Sequence, residues 1–330
     1  MSLYQSPIRK TIQKDIYNKP TFTLNIFGKD YFWTIKTKKL GPITLKRYQI
    51  LWIELPKDHK EISKAIQKIK SEFWHHWTNI FFQLGITSTI QTFDVKDINN
   101  ELASSLKDTR LSLRTRMRED YHLIHSFREN LPESGIVYDL SKTDEELIKD
   151  MNKASSLRTK KAIKNNIGFR AITESEYDKF YDKRQETAGQ KGFHTITKHQ
   201  YHKLIKHLIS TNTGNVFITE HEGEILSGAI CIFDQKNLVC LYSFADRNHN
   251  NIGGQQYLKF KIFTWGRAQW FATCDMMWGA PTGFPDHELA SVSAFKESMG
   301  GIKTEYIGNF DIILNPWLYK LFKRLFTIKK

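Results

Sequence analysis

The alternation of apolar and polar positions divides the second half of the chain into short strands and helices. Apolar runs bounded by turn residues predict three antiparallel strands over residues 215–219, 225–233 and 238–243. Helical spacing of apolar residues predicts a helix over 255–271, and the run 273–277 predicts another strand. A further helix begins near residue 286 and ends at Gly300-Gly301, the usual place for a left-handed C-cap. Polar residues end these strands, so we expect a ligand site there.

Helices are also predicted in the residues that precede these strands. In the first of them, Leu147, Met151, Ala154 and Leu157 form an apolar stripe, and the helix ends at Gly168. The helix starts are marked by three capping boxes, Thr143/Glu146, Thr173/Glu176 and Thr197/Gln200.

The first half of the chain shows a weaker form of the same order. The pattern predicts a hairpin over 22–37, strands over 48–55 and 79–84, and a helix over 61–77 between those strands. Residues 95–133 are polar and basic and are interpreted as loops and short helices. We therefore predict an α/β fold of two N-acetyltransferase-like modules, each a mixed central sheet flanked by helices. The expected modules are 1–140 and 141–330, the second ending in a basic helix.

Charge narrows the classes of partner. The net charge of +14 on 330 residues attracts polyanions such as nucleic acid, anionic lipid or phosphorylated substrates, although a solvated lysine-rich surface explains it equally well.

Residues 1–21 lack the apolar core of a signal peptide and no apolar run is long enough to span a membrane, so we expect a cytoplasmic protein. Cys231, Cys240 and Cys274 lie in apolar runs and are predicted to be buried thiols. The histidines have no metal-binding spacing, so no metal is expected.

Three segments follow one another over about 200 residues from Pro132 onward. The first is PESGIVYDLSKTDEELIKDMNKASSLRTKKAIKNNIGF, and the second is ETAGQKGFHTITKHQYHKL. The third contains LYSFADRN, QYLKFKIFTWGRAQ, CDMMWGAP and FKESMGG. In this order the segments resemble the FemABX peptidyltransferases. In the first 130 residues only the segments 3–6 and 38–42 look similar, and weakly.

The resemblance implies transfer of an aminoacyl group from aminoacyl-tRNA to the stem-peptide amine of a peptidoglycan precursor, either lipid II or UDP-MurNAc-pentapeptide. It implies no cofactor besides the tRNA co-substrate, and we expect a monomer. Lys296 falls on the family lysine that stabilises developing negative charge, and aminolysis of an ester passes through such an oxyanion.

Further site residues are predicted around this lysine. Tyr242, Ser243 and Asp275 stand at strand ends. Tyr242 has an alternative role in the core, and Asp275 has one as a cap for the loop at Gly279. The remaining substrate-binding candidates are Tyr257, Lys39 and Lys198. Arg158, Lys160 and Lys161 are candidates for binding tRNA phosphates, with a solvated helix face as the alternative.

Two other functions stay open. An acyl-CoA-dependent N-acyltransferase would need a glycine-rich pyrophosphate turn, and residues 247–254 have the location but not the spacing. A non-catalytic RNA-binding module suits the charge, but no RNA-binding motif is present. The chain also departs from the family, because Gly192-Phe193 is not followed by the arginine that contacts phosphate, and Lys198 is the nearest cation.

The C-terminal segment also has two interpretations. On a helix begun by Pro316, one face carries Leu318, Leu321, Phe322 and Leu325, and five lysines and arginines follow Trp317. This helix either docks on the second module or lies in the interface of an anionic membrane, which would be a peripheral contact.

Overall fold

The structure is a computed structural model that describes residues 10–56, 58–89, 106–127, 130–191, 196–234, 236–246 and 252–327. Its strands are β1 (Thr21–Ile26), β2 (Lys29–Leu40), β3 (Ile43–Ile53), β4 (Asn79–Thr89), β5 (Ile124–His125), β6 (Ser134–Asp139), β7 (Gly168–Ala171), β8 (Gly214–His221), β9 (Glu224–Phe233), β10 (Asn237–Ala245), β11 (Thr273–Asp275) and β12 (Ile302–Ile313). Its α-helices are α1 (His59–Phe73), α2 (Leu106–Tyr121), α3 (Asp144–Asp150), α4 (Lys153–Lys164), α5 (Tyr177–Lys191), α6 (Lys198–Ser210), α7 (Gly254–Ala268), α8 (Ala290–Ser298) and α9 (Pro316–Thr327).

The chain forms two compact units. The first takes its described residues from Met1–Ser134, Ala280–Glu288 and Thr304–Lys330, and the second from Gly135–Gly279 and Leu289–Lys303. The predicted division near residue 140 needs correction, because both units are discontinuous in sequence. Strand β12 pairs antiparallel with β4, which returns the C-terminal segment to the first unit.

The first unit contains a mixed sheet in the order β1-β2-β3-β4-β12. Strands β3 and β4 are parallel and are connected through α1, whose buried Ile62, Ile66 and Ile69 face the sheet core. Helix α1 begins at Asp58, whose carboxylate accepts a hydrogen bond from the backbone N–H of Lys60. The pattern over residues 61–77 thus correctly predicted a helix here.

A buried ionic cluster holds α2 in the first unit. The Arg110 guanidinium is 1 % exposed and donates to Glu305 at 2.6 Å and to Glu133 at 3.3 Å. Arg114 and His125 also contact Glu133, at 2.7 and 2.6 Å. Burial raises the pKa of Glu133, but these neighbours outweigh it and lower that pKa below its usual value. The cluster explains a 16-residue helix in a region that polarity alone assigned to loops and short helices.

The C-terminal helix α9 docks on the first unit through the apolar face predicted from its sequence. Leu318, Tyr319 and Phe322 are buried against Phe81 and its neighbours, with the Tyr319 and Phe81 ring centroids 5.4 Å apart. These contacts favour docking over a position in a membrane interface. The helix packs within the first unit, whereas the sequence analysis expected it on the second module. Among the described residues, no helix has the length and apolar character needed to cross a membrane.

Asp311 on β12 should make the stability of the protein depend on pH. Its carboxylate accepts a hydrogen bond from the Tyr319 hydroxyl at 2.8 Å, and burial raises its pKa from 3.8 to about 7. Because the folded state favours the protonated acid, stability is lost as pH rises from about 4 through 7. We expect Asp311→Asn to be more stable than wild type at pH 8, by on the order of 2 kcal/mol, and to lose this advantage near pH 4. Chemical denaturation at both pH values measures it, and equal stabilities at pH 8 would contradict it.

The second unit repeats this arrangement of strands. Its sheet has the order β7-β8-β9-β10-β11-β6, in which β7 to β10 are antiparallel neighbours and β10 and β11 are parallel. Helix α7 connects the parallel pair, as α1 does in the first unit. The predicted α/β class, with mixed sheets flanked by helices, is confirmed.

Local details of the second unit differ from the sequence patterns. The long helix predicted after Thr143 is two helices, because Asn152 interrupts it and caps α4 by accepting from the Ser155 backbone N–H. Leu157 of the predicted apolar stripe is 58 % exposed, and the buried residues of α4 are the small Ser155, Thr159 and Ala162. The three predicted capping boxes are all present.

Candidate functional site

A cavity opens in the second unit where two parallel strands separate. Strands β10 and β11 pair only over Asn237–Thr273, Leu238–Cys274 and Val239–Asp275. Beyond these pairs the chains diverge, and a cavity of about 290 Å³ lies between them. Its wall includes Cys240, Leu241, Ser243, Met276 and Trp278 from the two diverging segments. Such a cleft at the carboxyl ends of parallel strands is a common position for ligand sites.

A β-bulge modifies the β10 wall of the cavity. Cys240 pairs with Cys231 of β9 and Tyr242 pairs with Ile230, so that Leu241 is the extra residue between them. An extra residue leaves the regular ladder and changes the direction of its neighbours. Leu241 and Ser243 both line the cavity at this bulge. The Leu241 backbone N–H is therefore a candidate hydrogen-bond donor for a ligand.

Lys296 of α8 also lines the cavity and is 8 % exposed. Its ammonium donates to the backbone carbonyls of Met276, Met277 and Trp278, at 2.9, 2.7 and 2.7 Å. Met277 and Trp278 have φ angles of 50° and 27°, a region that residues other than glycine rarely occupy. The lysine thus fixes an unusual turn at the end of β11 while placing a buried positive charge beside the cavity.

Two further cations line the cavity, and the sequence analysis identified neither of them. Lys259 of α7 is 1 % exposed, and its Nζ has no hydrogen-bond partner among the described residues. Arg184 of α5 lies with its guanidinium carbon 5.9 Å from the centre of the Tyr242 ring. Its Nε and Nη1 are buried and lack partners within the described part of the chain. The only signal in the sequence was a lysine at an apolar position of the α7 pattern.

Glycines at the start of α7 allow this helix to lie close to its neighbours. Gly253 has φ 84°, and a Cβ there would lie 2.4 Å from the Arg158 carbonyl oxygen. A Cβ on Gly254 would lie 2.8 Å from Leu226 Cβ. This close packing sets the position of α7 and of Lys259 on it.

The structure brings together some of the predicted site residues. Ser243 and Lys296 line the cavity. Asp275 ends β11 next to it and accepts a hydrogen bond from the Met277 backbone N–H at 2.6 Å, which is the turn role considered for it. Tyr242 contacts Arg184, one of the lining residues. Tyr257 packs between two apolar clusters and does not line the cavity.

The other predicted residues lie elsewhere. Lys198 begins α6 and pairs with Asp178 at 3.1 Å. Lys39 is exposed on β2 of the first unit. Arg158, Lys160 and Lys161 are exposed on α4. None of the five lines the cavity, and their binding roles stay predictions. The segments 192–193 and 247–251 lie outside the described residues.

The three cysteines are buried free thiols, as predicted. Cys240 Sγ lies 3.5 Å from Cys231 Sγ and 3.9 Å from Cys274 Sγ, and burial raises the pKa of Cys274. Among the described residues, no group of three or more histidines, cysteines and carboxylates is arranged to hold a metal ion. The chemistry that the described side chains offer is therefore positive charge and hydrogen bonding beside a small cleft.

Part of the chain matches a known protein family. Residues 210–326 match the model of the FemAB family. The lipid II:glycine glycyltransferase of Staphylococcus epidermidis is 29 % identical over 109 residues, 32 % of this chain and 26 % of the relative. The enzyme of that name from Staphylococcus saprophyticus is 26 % identical over 150 residues, 45 % of this chain and 34 % of the relative. The match thus spans about a quarter to a third of these relatives.

Solved structures extend the likeness over the whole chain. The crystal structure of FemX has a TM-score of 0.71 at 14 % identity, covering 98 % of this chain and 94 % of that one. The structure of L-PGS from Bacillus licheniformis has a TM-score of 0.51 at 12 % identity, covering 97 % of each. At 12–14 % sequence identity, these structural matches show that the chain has the same kind of fold as the two proteins.

Proposed function

We propose, because residues 210–326 match the model of the FemAB family, that this chain is an aminoacyltransferase whose reaction takes place at the cavity between β10 and β11. The donor is aminoacyl-tRNA and the acceptor is an amine of a peptidoglycan precursor. The observation that carries the proposal is the buried Lys296 ammonium beside this cavity, on the strand-helix core that the family model matches.

The residues around the cavity suit aminolysis of an ester. Attack of a neutral amine on the aminoacyl ester forms a C–N bond and a tetrahedral oxyanion. The C–O bond to the tRNA then breaks, and the departing ribose oxygen takes the bonding electrons and the proton that the amine loses. A preorganised cation and backbone N–H groups near that oxygen stabilise the charge as it develops. Lys296 supplies the cation, and Leu241 at the bulge supplies a candidate N–H. Because the ester is already activated, holding the two substrates in contact contributes much of the rate.

The acceptor is proposed from the relatives. Two of them are named as transferring glycine to lipid II, a lipid-linked peptidoglycan precursor. For this chain we propose the wider class of precursors that carry a stem-peptide amine, whether lipid-linked or soluble. The mass-spectrometric assay described next identifies both the acceptor and the transferred amino acid.

Mass spectrometry of the acceptor tests the proposed activity. The protein is incubated with a pool of charged tRNAs and either lipid II or UDP-MurNAc-pentapeptide, and a parallel reaction contains acetyl-CoA in place of tRNA. We expect the precursor to gain the mass of one aminoacyl residue only when charged tRNA is present. Acetylation from acetyl-CoA without aminoacylation would replace the proposal by an acyl-CoA-dependent transferase.

Binding of charged tRNA should depend on exposed positive charge. Arg158, Lys160 and Lys161 are exposed on α4, and reversing all three to glutamate should weaken tRNA binding by at least about tenfold. Each lost phosphate contact should also reduce the slope of log affinity against log salt, by roughly 0.7 to 0.9. Filter binding over a range of salt concentrations measures both quantities.

A control for this experiment changes the same charge elsewhere. Lys14, Lys60 and Lys64 are exposed in the first unit, and their reversal to glutamate alters net charge by the same amount. If both triple variants weaken binding equally, α4 has no specific role and only the overall charge attracts tRNA.

A further inference from the structure

Lys259 is an unusual residue for the interior of a protein. It lies on α7 among Leu258, Phe260 and Ile262, which are all buried in the apolar core of the second unit. Its ammonium is buried and has no hydrogen-bond partner among the described residues. A buried charge without a partner is costly, so a ligand that supplied an opposite charge there would be bound favourably.

Arg184 gives the second and independent observation. It comes from α5, and it also lines the cavity. Two of its nitrogens, Nε and Nη1, are buried and have no partner among the residues that the structure describes, while its guanidinium carbon lies 5.9 Å from the centre of the Tyr242 ring. A guanidinium held against an aromatic ring keeps its N–H groups available for an oxyanion. Two helices therefore each bring an unsatisfied cation to one cavity.

We propose that Lys259 and Arg184 form a subsite of this cavity that binds a carboxylate of a substrate. The inference rests on the proposed function, since the cavity is taken as the place of transfer. At about 290 Å³ the cavity is at the small end of ligand sites, so that it suits an amino-acid side chain better than a nucleotide. A carboxylate also supplies the acceptor oxygens that both cations lack.

Two parts of the substrates could bring this carboxylate. One is the side chain of an acidic aminoacyl group, aspartyl or glutamyl, attached to the tRNA. The other is the C-terminal carboxylate of the acceptor peptide. Both would be held by the same charge pairing, and they differ in which substrate loses activity when its carboxylate becomes an amide.

Direct binding tests the subsite without any transfer reaction. The full-length protein is titrated by calorimetry with L-glutamate, L-aspartate, their amides L-glutamine and L-asparagine, the dipeptide D-Ala-D-Ala, its amide, and inorganic phosphate. We expect at least one of the carboxylate probes to bind at least tenfold more tightly than its amide, and Lys259→Met and Arg184→Gln each to reduce this preference by tenfold or more. If each amide binds as well as its carboxylate, or phosphate is the only anion bound, the proposal is wrong.

The stability of the unliganded variants separates a ligand-binding role from a structural one. Lys259→Met removes a buried unpaired charge, so we expect its melting temperature to rise. Lys261→Met is the matched control, because this lysine lies on the same helix against the Phe169 ring and outside the cavity. A fall in the melting temperature of Lys259→Met with no loss of carboxylate affinity would assign the lysine a structural role and overturn the proposal.

Transfer assays then identify the source of the carboxylate. The transfer rate of the wild-type enzyme is measured with glutamyl-, aspartyl-, glutaminyl- and asparaginyl-tRNA as donors. It is also measured with acceptors that end in a carboxylate and with acceptors that end in an amide. A preference for acidic donors that Lys259→Met abolishes assigns the subsite to the aminoacyl side chain, and a preference for the free acceptor terminus assigns it to the acceptor. If both preferences are absent from an active enzyme, the subsite does not bind a substrate carboxylate. Failure of every charged tRNA to react, with carboxylate binding intact, would reject the proposed function and leave the binding site in place.

Discussion

Lys296→Met is expected to lower the rate of aminoacyl transfer by about two orders of magnitude or more. The ammonium lies beside the cavity, where a fixed positive charge stabilises the oxyanion of the transition state. The same substitution leaves three carbonyls at the end of β11 without their donor, which disturbs the wall of the cavity. Single-turnover measurements at saturating charged tRNA give the rate constant of transfer directly.

The stability of the same variant must also be measured, because leaving buried carbonyls without their charged donor destabilises the folded state. We expect Lys296→Met to lower the free energy of unfolding by roughly 1–3 kcal/mol, so transfer is assayed well below its melting temperature. Lys303→Met is the matched control, because this lysine pairs with Glu297 at 3.0 Å outside the cavity. Transfer by Lys296→Met at the rate of the Lys303 control would remove Lys296 from the reaction.

Much of the second unit could be predicted from local sequence. Strands β8, β9 and β10 alternate or run apolar between clear turns, and the capping boxes begin helices where the pattern changes. The prediction of Lys296 came from the resemblance of Phe295-Lys296 and the following glycines to a family motif. Ser243 was found because it stands at the end of a central strand.

Features that depend on distant contacts could not be predicted in this way. Strand β12 belongs to the first unit because it pairs with β4, more than 200 residues earlier, and nothing local indicates that partner. Arg184 looks like an ordinary surface cation in the sequence, and the apolar position of Lys259 does not indicate a cavity. Only the packing of α5 and α7 shows that the Lys259 side chain and two nitrogens of Arg184 are buried at one cavity. Lys198 was proposed for its position after a motif, but Asp178 is the partner that the fold gives it.

Blocking the cavity tests most directly whether it is the place of transfer. Ser291 is exposed on α8 and lines the cavity, whereas Ala294 is exposed on the same helix and does not line it. Ser291→Trp should fill the opening and lower transfer by at least about 100-fold, because a misplaced substrate loses the advantage of proximity. Ala294→Trp should retain the wild-type rate, and both variants should melt near the wild-type temperature. Wild-type transfer by a folded Ser291→Trp, or equal loss in both variants, would contradict a reaction at this cavity.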